Sequence, residues 1–156
     1  MSDHSAPASP FHAGERAAQA RMGADDVGRW AVRAIRPSLP DQHRAFFEGL
    51  AFVAVAARDR TGQPWATLLA GPPGFAASPD PETLAVASLP AEGDPLAGAI
   101  RAGADIGLLG IDFATRRRNR ANGRVLAADD RGFRLSVRQS FGNCPQHSHV
   151  RDWRPV

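Results

Sequence analysis

The stretch FRLSVRQSF, residues 133–141, decides the fold class. Phe133, Leu135, Val137, Gln139 and Phe141 fall on one face, and Arg134, Ser136, Arg138 and Ser140 on the other. That period of two is the pattern of a half-buried antiparallel strand. Directly before it, Asp129-Asp130-Arg131-Gly132 supplies a tight turn, so residues 118–128 read as the strand that pairs with it. Moving further toward the N-terminus, ADIGLLGIDF (104–113) and a short run at 83–87 read as strands. FVAVAAR (52–58) and PWATLLA (64–70) flank the turn Asp59-Arg60-Thr61-Gly62 and form a hairpin. The Gly- and Pro-rich segment GPPGFAASPDPE (71–82) reads as a loop. Six strands joined by short turns predict a mainly β fold, an antiparallel barrel with peripheral helices.

The helices are expected at the edges of this frame. Residues 11–35 carry a helical pattern broken near Gly23, with a second start at Asp25 and Asp26, and Pro37 ends it. Leu39-Pro40-Asp41 opens a further short helix whose apolar side is Phe46, Phe47 and Leu50. Asp94-Pro95 has the form of an N-cap followed by proline at the first helical position, predicting a short helix over 96–101. The expected organisation is a flexible tail at 1–10, one domain over 11–147 and a C-terminal tail at 148–156.

With 43% hydrophobic and 22% charged residues, the 156-residue chain belongs with folded globular domains rather than disordered segments. It has no apolar run of membrane-spanning length and no signal-peptide pattern at its start, so the expectation is a cytoplasmic protein without a membrane partner. The single cysteine, Cys144, rules out an internal disulfide. All 19 basic residues are arginines. Guanidinium forks suit carboxylates and phosphates, although GC-rich coding also yields lysine-free chains.

Local chemistry concentrates in TRRRNRANG, residues 115–123. On a strand, Arg116, Arg118 and Arg120 line up on one face, and Arg117 and Asn119 on the other. Two readings stand side by side: a row that faces an anion such as phosphate, or a charged edge strand that blocks edge pairing. Nucleic acid is a weaker partner because the run has no interleaved aromatics and the chain no tyrosine. Trp65 either stacks on a planar ring or fills the core. Cys144, His147 and His149 lack a fourth ligand, so no metal is expected. No Ser-His-Asp set or paired carboxylates suggest a catalytic group.

Three stretches, GQPWATLLAGPPGF, ADIGLLGIDFATRRRNRANGRV and QSFGNCPQ, resemble a branch of the pyridoxamine 5'-phosphate oxidase-like split-barrel family over roughly residues 11–147. The resemblance implies a six-stranded Greek-key split barrel, a homodimer, and FMN held at the subunit interface of an oxidoreductase-type domain. It implies cofactor contacts at Trp65, Ala66, Thr67 and Leu68 on one strand and at Arg116, Arg118 and Arg120 on another. Where the oxidases carry a basic pair for the flavin phosphate, this chain has Glu92-Gly93-Asp94. The alternative reading is a non-catalytic split barrel that has lost FMN or takes another planar cofactor such as haem or deazaflavin. Substrate and electron donor are left open.

Overall fold

The computed structural model describes residues 11–24, 31, 33–144 and 148–152. The chain divides into two units, Met1–Arg36 and Pro37–Val156. In the first, helix α1 (Ala13–Arg21) starts at a capping box. The His12 ring nitrogen Nδ1 accepts from the amides of Gly14 and Glu15, and Glu15 Oε2 accepts from the His12 amide, satisfying donors that a helix start otherwise leaves open. The helix expected to start at Asp25 and Asp26 lies largely outside the described residues, as does the tail at 1–10.

The second unit is helix α2 (Asp41–Glu48) and seven strands: β1 (Phe52–Arg58), β2 (Pro64–Ala70), β3 (Ala76–Asp80), β4 (Thr83–Val86), β5 (Asp105–Asp112), β6 (Arg117–Asp129) and β7 (Gly132–Asn143). They form one antiparallel sheet in the order β2-β1-β5-β6-β7-β4-β3. Strands β5, β6 and β7 follow one another by hairpins while β4 returns beside β7, which is Greek-key connectivity. One buried cluster draws on Val53 and Leu69 at one end of this order and on Ala76 and Leu84 at the other. A flat sheet would hold those residues far apart, so the sheet is rolled around its core. Its edge strands β2 and β3 do not pair with each other.

Helix α2 covers one end of the roll with Phe46 and Phe47, whose rings meet edge to face at 5.6 Å. The approach depends on Gly110 of β5, where an added Cβ would lie 2.5 Å from Leu50 Cδ1 and 2.7 Å from Phe46 Cε1. Arg44 from α2 donates to the carbonyls of Ser78 and Pro79 on β3, and His43 Nδ1 lies 2.7 Å from the hydroxyl of the fully buried Ser140.

The mainly β antiparallel class matches the sequence reading, with three local differences. The 71–82 segment contains a seventh strand, β3, which an Ala-Ser-Pro composition conceals. It pairs with β4 across an irregularity between Ala77 and Asp80, where Pro79 is tolerated because an edge strand does not need every ladder donor. Residues 96–101 form turns rather than a helix. Asp94 does cap the amide of Leu96 at 2.7 Å, but Gly98 takes φ +72°, which ends helical geometry within a turn. Finally, β7 does not alternate evenly. Val137 pairs with Gly123 and Gln139 with Asn122, leaving Arg138 as an extra bulged residue. Beyond it the faces exchange, so Ser140 is buried while Gln139 and Phe141 sit opposite the outward residues Asn122 and Arg120.

Candidate functional site

Asp112 shapes the turn between β5 and β6. Its Oδ1 accepts from the amides of Ala114 and Thr115, and its Oδ2 from the Thr115 hydroxyl at 2.5 Å. The turn closes with Arg116 at φ +59°, and β6 begins only at Arg117. Arg116 therefore does not stand in a strand row with Arg118 and Arg120, contrary to the alternation expected from sequence. A left-handed residue interrupts the pleat, and the outward row is instead Arg118, Arg120, Asn122 and Arg124, with Asn119, Ala121, Gly123 and Val125 facing the core. Arg116 and Arg118 nevertheless line one cavity of about 330 Å³ together with Ile111, Phe113 and His149.

The outward row is partly engaged. Arg118 donates from Nη2 to the Cys144 carbonyl, yet its Nε is buried without a partner among the described residues. Arg120 donates to Asn143 Oδ1 at 3.2 Å, and Asn122 to Gln139 Oε1 at 3.1 Å. Arg124 forms a two-pronged pair with Asp105, both contacts at 2.9 Å. Hydrogen bonding from Arg124, reinforced by the charges of Arg124 and Arg138, holds the Asp105 carboxyl below its ordinary range. Sequence reasoning passed over Asn122, Gln139 and Arg138 because the bulge that turns this part of β7 is a tertiary feature.

Register extends this face across the sheet. Leu68 of β2 pairs with Ala54 of β1, Ala54 with Leu109 of β5, Leu109 with Arg120 of β6, and Arg120 with Phe141 of β7. The next row runs Ala66, Ala56, Gly107, Asn122 and Gln139. One half of the outer face is thus a ledge of small and apolar side chains, with Leu68 67% exposed; the other half is a strip of guanidinium and amide donors. The two predicted groups, Ala66 and Leu68 on one side and Arg118 and Arg120 on the other, share this face but stand three strand spacings apart, about 14 Å.

Trp65 and Thr67 lie on the alternate positions of β2. Trp65 neither fills the core nor stands free: it is 45% exposed, and its indole donates to Asp59 Oδ2 at 2.9 Å. Thr67 donates its hydroxyl to Asp94 Oδ2 at 2.5 Å. The acidic segment noted in the sequence therefore places a carboxylate on the very strand expected to meet a cofactor, and a phosphate does not fit that corner. At the arginine end the donor set does fit an anion or a carbonyl-bearing ring. Among the described residues no group of three or more His, Cys, Asp or Glu is placed to hold a metal; His147 lies outside them. Nor is any helix among them long and apolar enough to cross a membrane.

Comparison with known proteins adds three findings. The family model described as pyridoxamine 5'-phosphate oxidase matches residues 39–154. A candidate pyridoxamine 5'-phosphate oxidase from Lactobacillus delbrueckii superposes with a TM-score of 0.49 at 16% identity, covering 68% of this chain and 95% of its own. A HupZ variant from Group A Streptococcus gives a TM-score of 0.49 at 14% identity, covering 67% and 99%. No curated protein sequence matches the chain significantly.

Proposed function

The chain belongs to the pyridoxamine 5'-phosphate oxidase family, and on that premise we propose that it is an FMN-binding, homodimeric oxidoreductase-type domain whose cofactor lies against the outer face of β1, β2, β5 and β6. The observation that carries this reading is the composition of that face. Ala54, Ala56, Ala66 and Gly107 make a flat floor on which a planar ring can lie, and Arg118, Arg120 and Asn122 border it with donors. Arg118 Nε, without a partner among the described residues, supports a ligand acceptor there. A second copy closing over Leu68 would remove the ledge from water and sandwich the ring.

In this arrangement Arg118 and Arg120 orient the cofactor through charge-assisted hydrogen bonds, and the apolar ledge excludes water from one ring face. FMN, when bound, supplies hydride and electron transfer. The phosphate end belongs toward the arginines and away from Asp94, whose carboxylate would repel it. A second reading, a family member that has given up FMN for a partner or an unphosphorylated planar cofactor, is favoured by that same Thr67–Asp94 pair. The absorption spectrum of freshly purified protein separates the two. Yellow protein that releases FMN on denaturation supports the first reading, and colourless protein that ignores added FMN supports the second.

A further inference from the structure

Beside the β5–β6 turn, between α2 and the ends of β1 and β5, lies a cavity of about 410 Å³ that shares Ile111, Phe113 and Arg151 with the cavity lined by Arg116 and Arg118 but has Arg117 as its own arginine from β6. That volume falls within the ~300–1,000 Å³ typical of small-ligand sites. We propose that it binds a small aromatic carboxylate, anchored by Arg117. This inference does not rest on flavin binding, since Arg117 is not among the cofactor contacts proposed for the outer face.

Arg117 begins β6 half-buried, with its guanidinium carbon 5.1 Å from the centroid of Phe46. That contact satisfies one face of the cation but none of its in-plane N–H donors. Among the described residues no carboxylate or carbonyl accepts from it. The nearby carboxylate of Asp112 is committed to its own turn, with both oxygens engaged by residues 114 and 115. A fork that lines a cavity with its donors open to solvent and not taken by a carboxylate or carbonyl of the described residues is complementary to a ligand with two coplanar oxygens.

The walls narrow the class. Phe46 stands on one side, and Phe52 and Phe113, stacked at 6.0 Å with 28° between their planes, on another. Such surfaces suit the body of an aromatic ring. Arg151 also lines the cavity, its backbone amide held by the Phe113 carbonyl at 3.3 Å. So do Asp112 and Asp152, and their charges penalise a dianion more than a monoanion. A carboxylate is therefore favoured over a phosphate.

Titrating the full chain with sodium benzoate, benzamide and inorganic phosphate, while following backbone amides by NMR, tests the assignment. Benzoate is expected to give saturable shifts at Gly49, Ala51, Asp112 and Ala114, with benzamide and phosphate weaker by about tenfold or more. Arg117→Gln is expected to weaken benzoate roughly ten- to a hundredfold with the spectrum still folded. If that variant does not fold, the benzoate-to-benzamide ratio in the unaltered chain decides alone. Unsaturable shifts, equal binding of the three probes, or shifts confined to Leu68, Asn122 and Gln139 would overturn the proposal. A chain that ignores FMN yet binds benzoate at this site would refute the outer-face reading and leave this one standing.

Discussion

Truncating Leu68 tests whether the apolar ledge is an interface between two copies. Leu68→Ala removes roughly three methylene equivalents, each worth about 0.8 kcal/mol on burial. The side chain is 67% exposed in the single chain, so a covering partner could gain about 1.6 kcal/mol from it, an upper figure because it takes all of the exposed part to be buried and sets aside the cost of ordering the side chain. Two-fold symmetry counts the residue twice, giving about 3 kcal/mol, or about two decades in the dimer dissociation constant. Fold stability should change little, since Leu68 faces away from the core. Leu126 is the control: it is 55% exposed and also points outward, but it sits at an irregularity of β6 beyond the rows shared with β1 and β2. Sedimentation equilibrium over a dilution series reads both variants. An unaltered chain that stays monomeric at micromolar concentration, or equal shifts for Leu68→Ala and Leu126→Ala, would refute the argument.

Arg118→Ala should weaken FMN binding by about one to two decades through loss of a charge-assisted hydrogen bond, while Arg131→Ala, in the β6–β7 turn, should not. Fluorescence titration of both variants checks this, and equal affinities would make the row only a solvated strand. Gly110→Ala forces a methyl group to within 2.5 Å of Leu50 Cδ1 and 3.1 Å of Phe47 Cε1. It should destabilise the fold by about 1–3 kcal/mol, read from urea midpoints; an unchanged midpoint would mean that α2 moves away freely. The Asp59 carboxyl is held below its ordinary pKa chiefly by the Thr61 hydroxyl, with the Trp65 indole and the amides of Thr61 and Gln63 adding to it. A depressed folded pKa contributes stability that is present above the unfolded value of about 3.9 and is lost as pH falls through the folded one. Asp59→Asn should therefore flatten part of the acid side of the stability profile below about pH 4, and an unchanged profile would count against it.

Most strands were legible because alternation and turn chemistry are local. FVAVAAR and PWATLLA appear as β1 and β2 with the boundaries expected, and Asp59 builds their turn from its own neighbours. The β3 strand was not legible, since an Ala-Ser-Pro edge strand has no hydrophobic period and is held by its pairing with β4 and by Arg44 of a distant helix. The arginine run was recognisable as chemistry, but its partition was not. The αL turn at Arg116 removes one member from the strand, and strand parity sends Arg117 toward Phe46 and Arg118 toward Cys144.

The sequence by itself determined the β class, the hairpins around Asp59 and Asp129, and the family, because these rest on side-chain period, turn residues and wording within short windows. Only the tertiary structure decided which residues share a surface. The strand order sets Ala66 and Leu68 three strands from Arg118, the bulge at Arg138 brings Gln139 to the same face, and the β4–β5 connection carries Asp94 to Thr67. These residues are distant along the chain and meet through the order of non-adjacent strands, a bulge that shifts the register, and a side-chain hydrogen bond between a loop and a strand, none of which a short window of sequence contains.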